Sequence, residues 1–137
     1  MTDRNLRLLT VALASAGVGI AAYLSYASTT KAALMCPTSG CDRVRQSSYS
    51  TLAGLPVAYL GAAGYALILG SAASANVRAA LTGAALSLVG SAFALYLLVI
   101  QLGVIHAVCV WCVASDAVLL VVTALAIVRL RAAMRRR

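Results

Sequence analysis

The chain has 137 residues, 63% of them hydrophobic and only 10% charged, with a mean hydropathy of +0.96. Soluble domains carry about 25% charged residues, so this composition excludes an ordinary soluble domain and points to one compact membrane domain. The net charge of +8 does not indicate nucleic acid: eight of the eleven basic residues (Arg4, Arg7, Arg78, Arg129, Arg131, Arg135, Arg136, Arg137) flank apolar segments, and no aromatic residues interleave with those of the tail.

In chain order, the first apolar segment covers about residues 8–28, long enough to cross a bilayer. Its apolar run exceeds a typical signal-peptide core, and its small residues Ala14, Ala16 and Gly17 lie inside the run. It therefore reads as a retained transmembrane helix, with Tyr23 and Tyr26 suited to the membrane interface. Residues from about 29 to 56 form the only long polar stretch and read as a redox loop. It holds Cys36 and Cys41 on either side of the turn-forming Pro37-Thr38-Ser39-Gly40, so this pair is expected on a flexible loop. Gly54-Leu55-Pro56 then leads into a second span at about 57–75, where Pro56 suits the first helical turn. Gly61, Ala62, Ala63 and Gly64 allow another helix to approach closely. A third span at about 79–101 follows Asn76-Val77-Arg78. A fourth, at about 107–128, contains Asp116 and ends in an Arg-rich tail, 129–137.

The fourth span opens on Cys109-Val110-Trp111-Cys112. Two thiols three residues apart at the start of a helix share a face and can close a disulfide. The positive end of the helix dipole stabilises a thiolate, the attacking species in disulfide exchange. This stretch reads as a redox pair at the mouth of a membrane helix.

Charge sets the expected topology. With four spans, both termini share a side with the eight basic residues named above. Lys31, Arg43 and Arg45 fall on the other side. The bias puts both termini in the cytoplasm and both cysteine pairs outside it, where disulfides form and persist.

Four cysteines admit three readings: two static disulfides stapling the outer face, a zinc site, or a thiol relay between the pairs. The relay is favoured because the pairs sit in different mechanical settings, one on a loop and one fixed at the membrane surface. Exchange between them would pass two electrons from a soluble donor to an acceptor dissolved in lipid.

These features together resemble the prokaryotic vitamin K epoxide reductase family. The matching residues are the loop pair Cys36 and Cys41, then Asp42-Arg43-Val44, Ser47, Gly54-Leu55-Pro56, Gly61 and Tyr65, and last Cys109-Val110-Trp111-Cys112. The resemblance covers roughly residues 8–130. Chain order separates it from the DsbB-type oxidases, which carry their Cys-x-x-Cys in the first outer loop. The resemblance implies an all-α integral membrane fold: a four-transmembrane-helix bundle with a short half-inserted helix in the first outer loop, mapped to about residues 45–52. It implies that Cys36 meets a DsbA-like or other thioredoxin-fold protein, that Cys41 passes electrons to Cys109, and that Cys112 faces a quinone of the menaquinone or ubiquinone type. Many relatives carry a fused thioredoxin-like domain after the fourth span; this chain stops at its Arg-rich tail, so the partner is expected to be a separate protein.

Three further residues bear on quinone reduction. Asp116 lies one turn beyond Cys112 on the same face, and an ionisable residue inside a span is a functional candidate. It is expected to bind the quinone or hold a proton; the alternative is a polar contact between helices or an interfacial carboxylate reached by water. Ser47 is expected to hydrogen-bond the quinone, or else to cap the half-helix. His106, three residues before Cys109, either stabilises a thiolate or is merely solvated. The expected function is a thiol:quinone oxidoreductase of the cytoplasmic (inner) membrane, with no metal. The rivals are a small four-span transporter built around Asp116 and a structural subunit with static disulfides.

Overall fold

The computed structural model describes residues 2–32 and 35–137; Ala33 and Leu34, within the expected redox loop, lie outside the described residues. The first helix, α1 (Asp3–Thr30), starts where the Thr2 hydroxyl accepts the Asn5 N–H at 3.4 Å, and ends at Lys31 in the left-handed region (φ 53°). A short helix, α2 (Gly40–Gln46), and a single 3-10 turn, Ser48–Ser50, follow. Two-residue strands β1 (Thr51–Leu52) and β2 (Leu55–Pro56) pair antiparallel. Ala53 (φ 52°) and Gly54 (φ 82°) make the tight turn between them, the backbone twist that a two-residue hairpin requires. Helix α3 (Val57–Ala73) leads to α4 (Val77–Ile100), capped by the Asn76 side chain accepting the Ala79 N–H at 2.7 Å. Helix α4 runs into a π-helical turn, Gln101–Ile105, and α5 (Val110–Arg135) completes the chain.

The four long helices close a ring: α1 packs on α3 and α5, and α4 packs on the same two. The central core is small and tight. Ala14, Ala21, Tyr65, Ile68 and Val122 are buried together, and a Cβ on Gly17 would overlap the Tyr65 ring, so glycine there lets α1 and α3 touch. Hydroxyls join α4 to α5: Thr123 Oγ1 donates to Ser87 O at 3.1 Å and shares a 2.8 Å bond with the Ser91 hydroxyl. Such polar contacts hold helices together where apolar burial alone cannot.

The chain is predominantly helical, and three helical stretches (Asp3–Thr30, Val77–Ile105 and Val110–Arg135) are long and apolar enough to cross a membrane. Helix α3 has 17 residues, about 25 Å at 1.5 Å per residue, against a hydrocarbon core of about 30 Å. Its last carbonyls are met by arginines from α1 and from α5, the helix across the ring. Arg7 donates to Ala72 O at 3.0 Å and to Ala73 O; Arg129 donates to Ser71 O at 3.5 Å and to Ser74 O. A short helix can therefore end inside the bundle without bare carbonyls.

Several sequence expectations differ from the structure. Arg129, expected in the tail, is only 4% exposed, with the Asp3 carboxylate 3.7 Å away, and α5 runs on to Arg135. The helical fold also carries the small β1–β2 hairpin, which the sequence did not announce. The loop helix lies at 40–46 rather than 45–52. Beyond Gln46 the Ser47 hydroxyl donates to Val44 O at 2.6 Å and the Ser50 hydroxyl to Ser47 O at 2.8 Å. Serine hydroxyls that bond nearby backbone compete with helix propagation, and the backbone is extended at Ser47 and Thr51.

Candidate active site

All four cysteines meet at one end of the bundle, opposite the Arg7 and Arg129 end. Cys36 and Cys41 are joined in a disulfide, while Cys109 and Cys112 are free thiols. Cys41 and Cys109, each 1% exposed, are buried in one cluster with Ala27, and Cys36, Cys112, Val44, Leu24, Tyr23 and Trp111 pack against it. The loop pair is thus not held away from the Cys-x-x-Cys pair. It is docked on it.

The docking has identifiable causes. Cys41 lies on α2, not on a free loop. Arg45 ties α2 to the end of α1: one guanidinium nitrogen donates to Ala27 O and Ala32 O, both at 2.8 Å, and another meets the Asp42 carboxylate at 3.0 Å. The carbonyls at the α1 terminus would otherwise lack partners. On the other side, Gly40 lies backbone-to-backbone on Val108; a Cβ there would overlap the Val108 carbonyl oxygen and stand 3.1 Å from its carbon. Only glycine permits that approach, and it brings Cys41 down beside Cys109.

The free pair is shaped by a helix start. Cys109 is the N-cap of α5, and its Sγ accepts the Cys112 N–H at 3.3 Å. Cys109 precedes the membrane-length helix. The hydrogen bond from the Cys112 side chain holds its thiol below the ordinary thiol range, against the upward push of burial, and the backbone N–H groups of Cys112 and Trp111 add to the effect. Gln101, 3% exposed in the π turn, accepts the Cys109 N–H on its side-chain oxygen at 2.9 Å, while its own carbonyl accepts the Ala107 N–H at 3.1 Å. The π turn thereby aims one side chain at the reactive cysteine; π segments recur at such sites.

Below the cysteines a cavity of about 250 Å³ opens between the helices. Its walls are mostly apolar, including Leu24, Ile68, Leu86, Phe93, Leu97 and Leu119. Cys41, Cys109 and Cys112 also line it, as do the polar Ser47, Gln101 and Asp116. Asp116 Oδ2 is buried and has no hydrogen-bond partner among the described residues. The Tyr65 hydroxyl, also at the cavity wall, donates to Ser115 O at 2.6 Å.

The sequence candidates thus come together in part. Cys36, Cys41, Cys109 and Cys112 form one cluster, and Asp116 and Ser47 reach the same cavity. The Ser47 hydroxyl proton is committed to Val44 O, the capping alternative, so only its oxygen lone pairs face other groups. His106 is exposed, in the left-handed region at φ 54°, and its ring bonds Leu102 O at 3.1 Å; it takes no part in the cluster. Sequence reasoning passed over Gly40 and Arg45 as site residues, and left Gln101 open between lining the pocket and sitting at the membrane interface. Nothing local marks a glycine whose neighbour is 68 residues away, but a glutamine eight residues before a cysteine N-cap, in an apolar segment, was a usable signal. Among the described residues no group of His, Cys, Asp or Glu side chains could hold a metal ion.

The sequence matches the profile of the Vitamin K epoxide reductase family over residues 8–127. No curated protein matches it.

Proposed function

Because the chain belongs to the vitamin K epoxide reductase family, a family of thiol oxidoreductases, we propose that it is a membrane thiol:quinone oxidoreductase that reoxidises an extracytoplasmic thioredoxin-fold dithiol protein. The observation that carries this reading is the packing of all four cysteines in one cluster, of which Cys41, Cys109 and Cys112 line an apolar cavity. A transporter has no use for that arrangement. Static stapling does not require one pair to be docked on the other.

The relay runs inward by exposure. Cys36 is half-buried and next to solvent-exposed residues, whereas Cys41 is sealed against Cys109. A partner thiolate attacks Cys36 Sγ, forming a mixed disulfide and releasing the Cys41 thiolate; the second partner thiol then displaces Cys36 and leaves the partner oxidised. Cys41 attacks Cys109 of an oxidised Cys109–Cys112 pair and releases the Cys112 thiolate. Cys36 attacks Cys41, closing the Cys36–Cys41 disulfide and releasing Cys109. This sequence ends with the loop pair oxidised and the Cys-x-x-Cys pair reduced, the state seen in the structure.

The cavity suits a quinone by its own chemistry. Its apolar walls match a ring and an isoprenoid chain, and the unpaired Asp116 Oδ2 is a polar atom in want of a partner. A bound quinone supplies an acceptor for two electrons and two protons. Cys112 at the cavity wall is the thiol placed to deliver electrons, Asp116 to hold or move a proton, and the Ser47 oxygen and Gln101 amide to orient a polar head.

In this reading the molecule spans the cytoplasmic membrane four times as one domain, with α3 the shortest span, the termini and the basic residues on the cytoplasmic side, and α2 with the β hairpin as the partly inserted cover of the cavity. The partner is a DsbA-like protein. The test uses purified protein, a reduced DsbA-like donor or dithiothreitol, and a soluble quinone analogue followed by absorbance. Cys109→Ala and Cys112→Ala should abolish turnover with both donors. Cys36→Ala and Cys41→Ala should abolish it only with the protein donor. Wild type that reduces no quinone with either donor would defeat the proposal.

A further inference from the structure

We propose that Tyr23 and Trp111 form a latch that grips the backbone of Met35 and thereby holds the Cys36–Cys41 segment on Cys109. The inference rests on the relay reading above. Met35 immediately precedes Cys36. Its N–H donates to the Tyr23 hydroxyl at 3.1 Å, and its carbonyl accepts the Trp111 indole N–H at 3.0 Å. The two rings lean on one another, with centroids 5.1 Å apart and planes tilted by 57°. Both polar groups of a single residue are therefore taken by side chains from two different helices, α1 and α5.

The side chain of Met35 contributes nothing to this grip, since the residue is 83% exposed. Met35 is held by its main chain alone. That distinguishes a latch from ordinary packing, in which the anchored residue would bury its own apolar surface. Both rings also pack on the cluster that contains the four cysteines.

Trp111 gives the latch its connection to the chemistry. It lies between Cys109 and Cys112, in the first turn of α5. Because Trp111 sits on the helix turn that carries both thiols, its N–H bond fixes Met35 relative to that turn. One residue thus ties the loop pair to the Cys-x-x-Cys pair, and Gly40 on Val108 ties them at a second point. Tyr23 and Trp111 are positioning residues: they carry no electrons themselves, but set how often Cys41 meets Cys109.

The test measures that encounter directly. In a Cys36→Ala/Cys112→Ala background only Cys41 and Cys109 remain, and a mild thiol oxidant such as diamide joins them into one disulfide by removing two electrons and two protons. The formation rate is read by gel shift, with no quinone present. Tyr23→Phe keeps the ring but loses the accepting oxygen; Trp111→Phe keeps an aromatic ring but loses the N–H. Each should slow formation about tenfold, as expected for a lost hydrogen bond in a docking equilibrium. In the four-cysteine protein the ratio of protein-driven to dithiothreitol-driven turnover should fall by a similar factor. A merely structural role would lower both turnovers together and leave the ratio unchanged, overturning the proposal. Cross-linking at the parent rate in both variants would also overturn it. If the parent itself forms no Cys41–Cys109 bond while both single-cysteine controls react, the relay reading fails and takes the latch with it.

Discussion

Replacing Gly40 by alanine perturbs the docking of the two cysteine pairs at a single atom. The added Cβ would overlap the Val108 carbonyl oxygen and stand 3.1 Å from the Val108 carbon and 3.2 Å from its nitrogen. These are backbone atoms of the segment that delivers Cys109, so no side-chain rotation relieves the overlap. The α2 backbone must retreat by roughly an ångström to restore ordinary contact. A misplacement of about 1 Å between reacting groups costs on the order of 10²-fold in rate, and Cys41 is the adjacent residue. Overpacking of this kind costs about 1–3 kcal/mol of stability, with little helix-propensity gain in return because Gly40 is the first residue of α2. The assay is quinone reduction driven in parallel by a reduced DsbA-like protein and by dithiothreitol. Protein-driven turnover should fall about 10²-fold, while the small dithiol, which reaches the Cys109–Cys112 pair without the loop, should lose far less. Wild-type rates with both donors would refute a loop docked through Gly40. An equal fall with both would show damage to the bundle rather than to the encounter.

Three other changes probe different parts of the site. Asp116→Asn should lower quinone-coupled turnover by about 10²–10⁴-fold, the usual worth of a positioned acid–base group. The same change should leave Cys41–Cys109 cross-linking in the two-cysteine background at its parent rate; a loss of cross-linking instead would make Asp116 a packing residue. Gln101→Met removes the acceptor of the buried Cys109 N–H and should cost about 1–3 kcal/mol, read as a lower midpoint in thermal unfolding in detergent; an unchanged midpoint would mean that this bond carries no weight. Arg45→Met strips three hydrogen bonds from the α1–α2 junction. After reduction of the loop disulfide, Cys41 should then react with a maleimide at least about tenfold faster than in wild type, where it is 1% exposed. Equal labelling would show that α2 is held without Arg45.

The membrane class, the three long helices and the two cysteine pairs were legible in the sequence because each is a local signal. An uninterrupted apolar run decides that a segment favours lipid whatever packs on it, and a Cys-x-x-Cys at a helix start lies on one face through helical geometry alone. Asn76 before α4 and the Gly54 turn before α3 were local in the same sense. What the tertiary structure decided is the relation between the pairs. Cys41 looked flexible because turn residues precede it, yet it is sealed on a helix whose position is set by Arg45 reaching back to α1 and by Gly40 resting on Val108. Arg129 looked like a tail charge, yet it closes the end of α3. Trp111 is only a spacer within the Cys-x-x-Cys motif as far as the sequence goes, yet its N–H holds the residue before Cys36. Each of these depends on backbone groups brought close only when the helix ring closes, and no spacing along the chain records which carbonyl a distant side chain will meet.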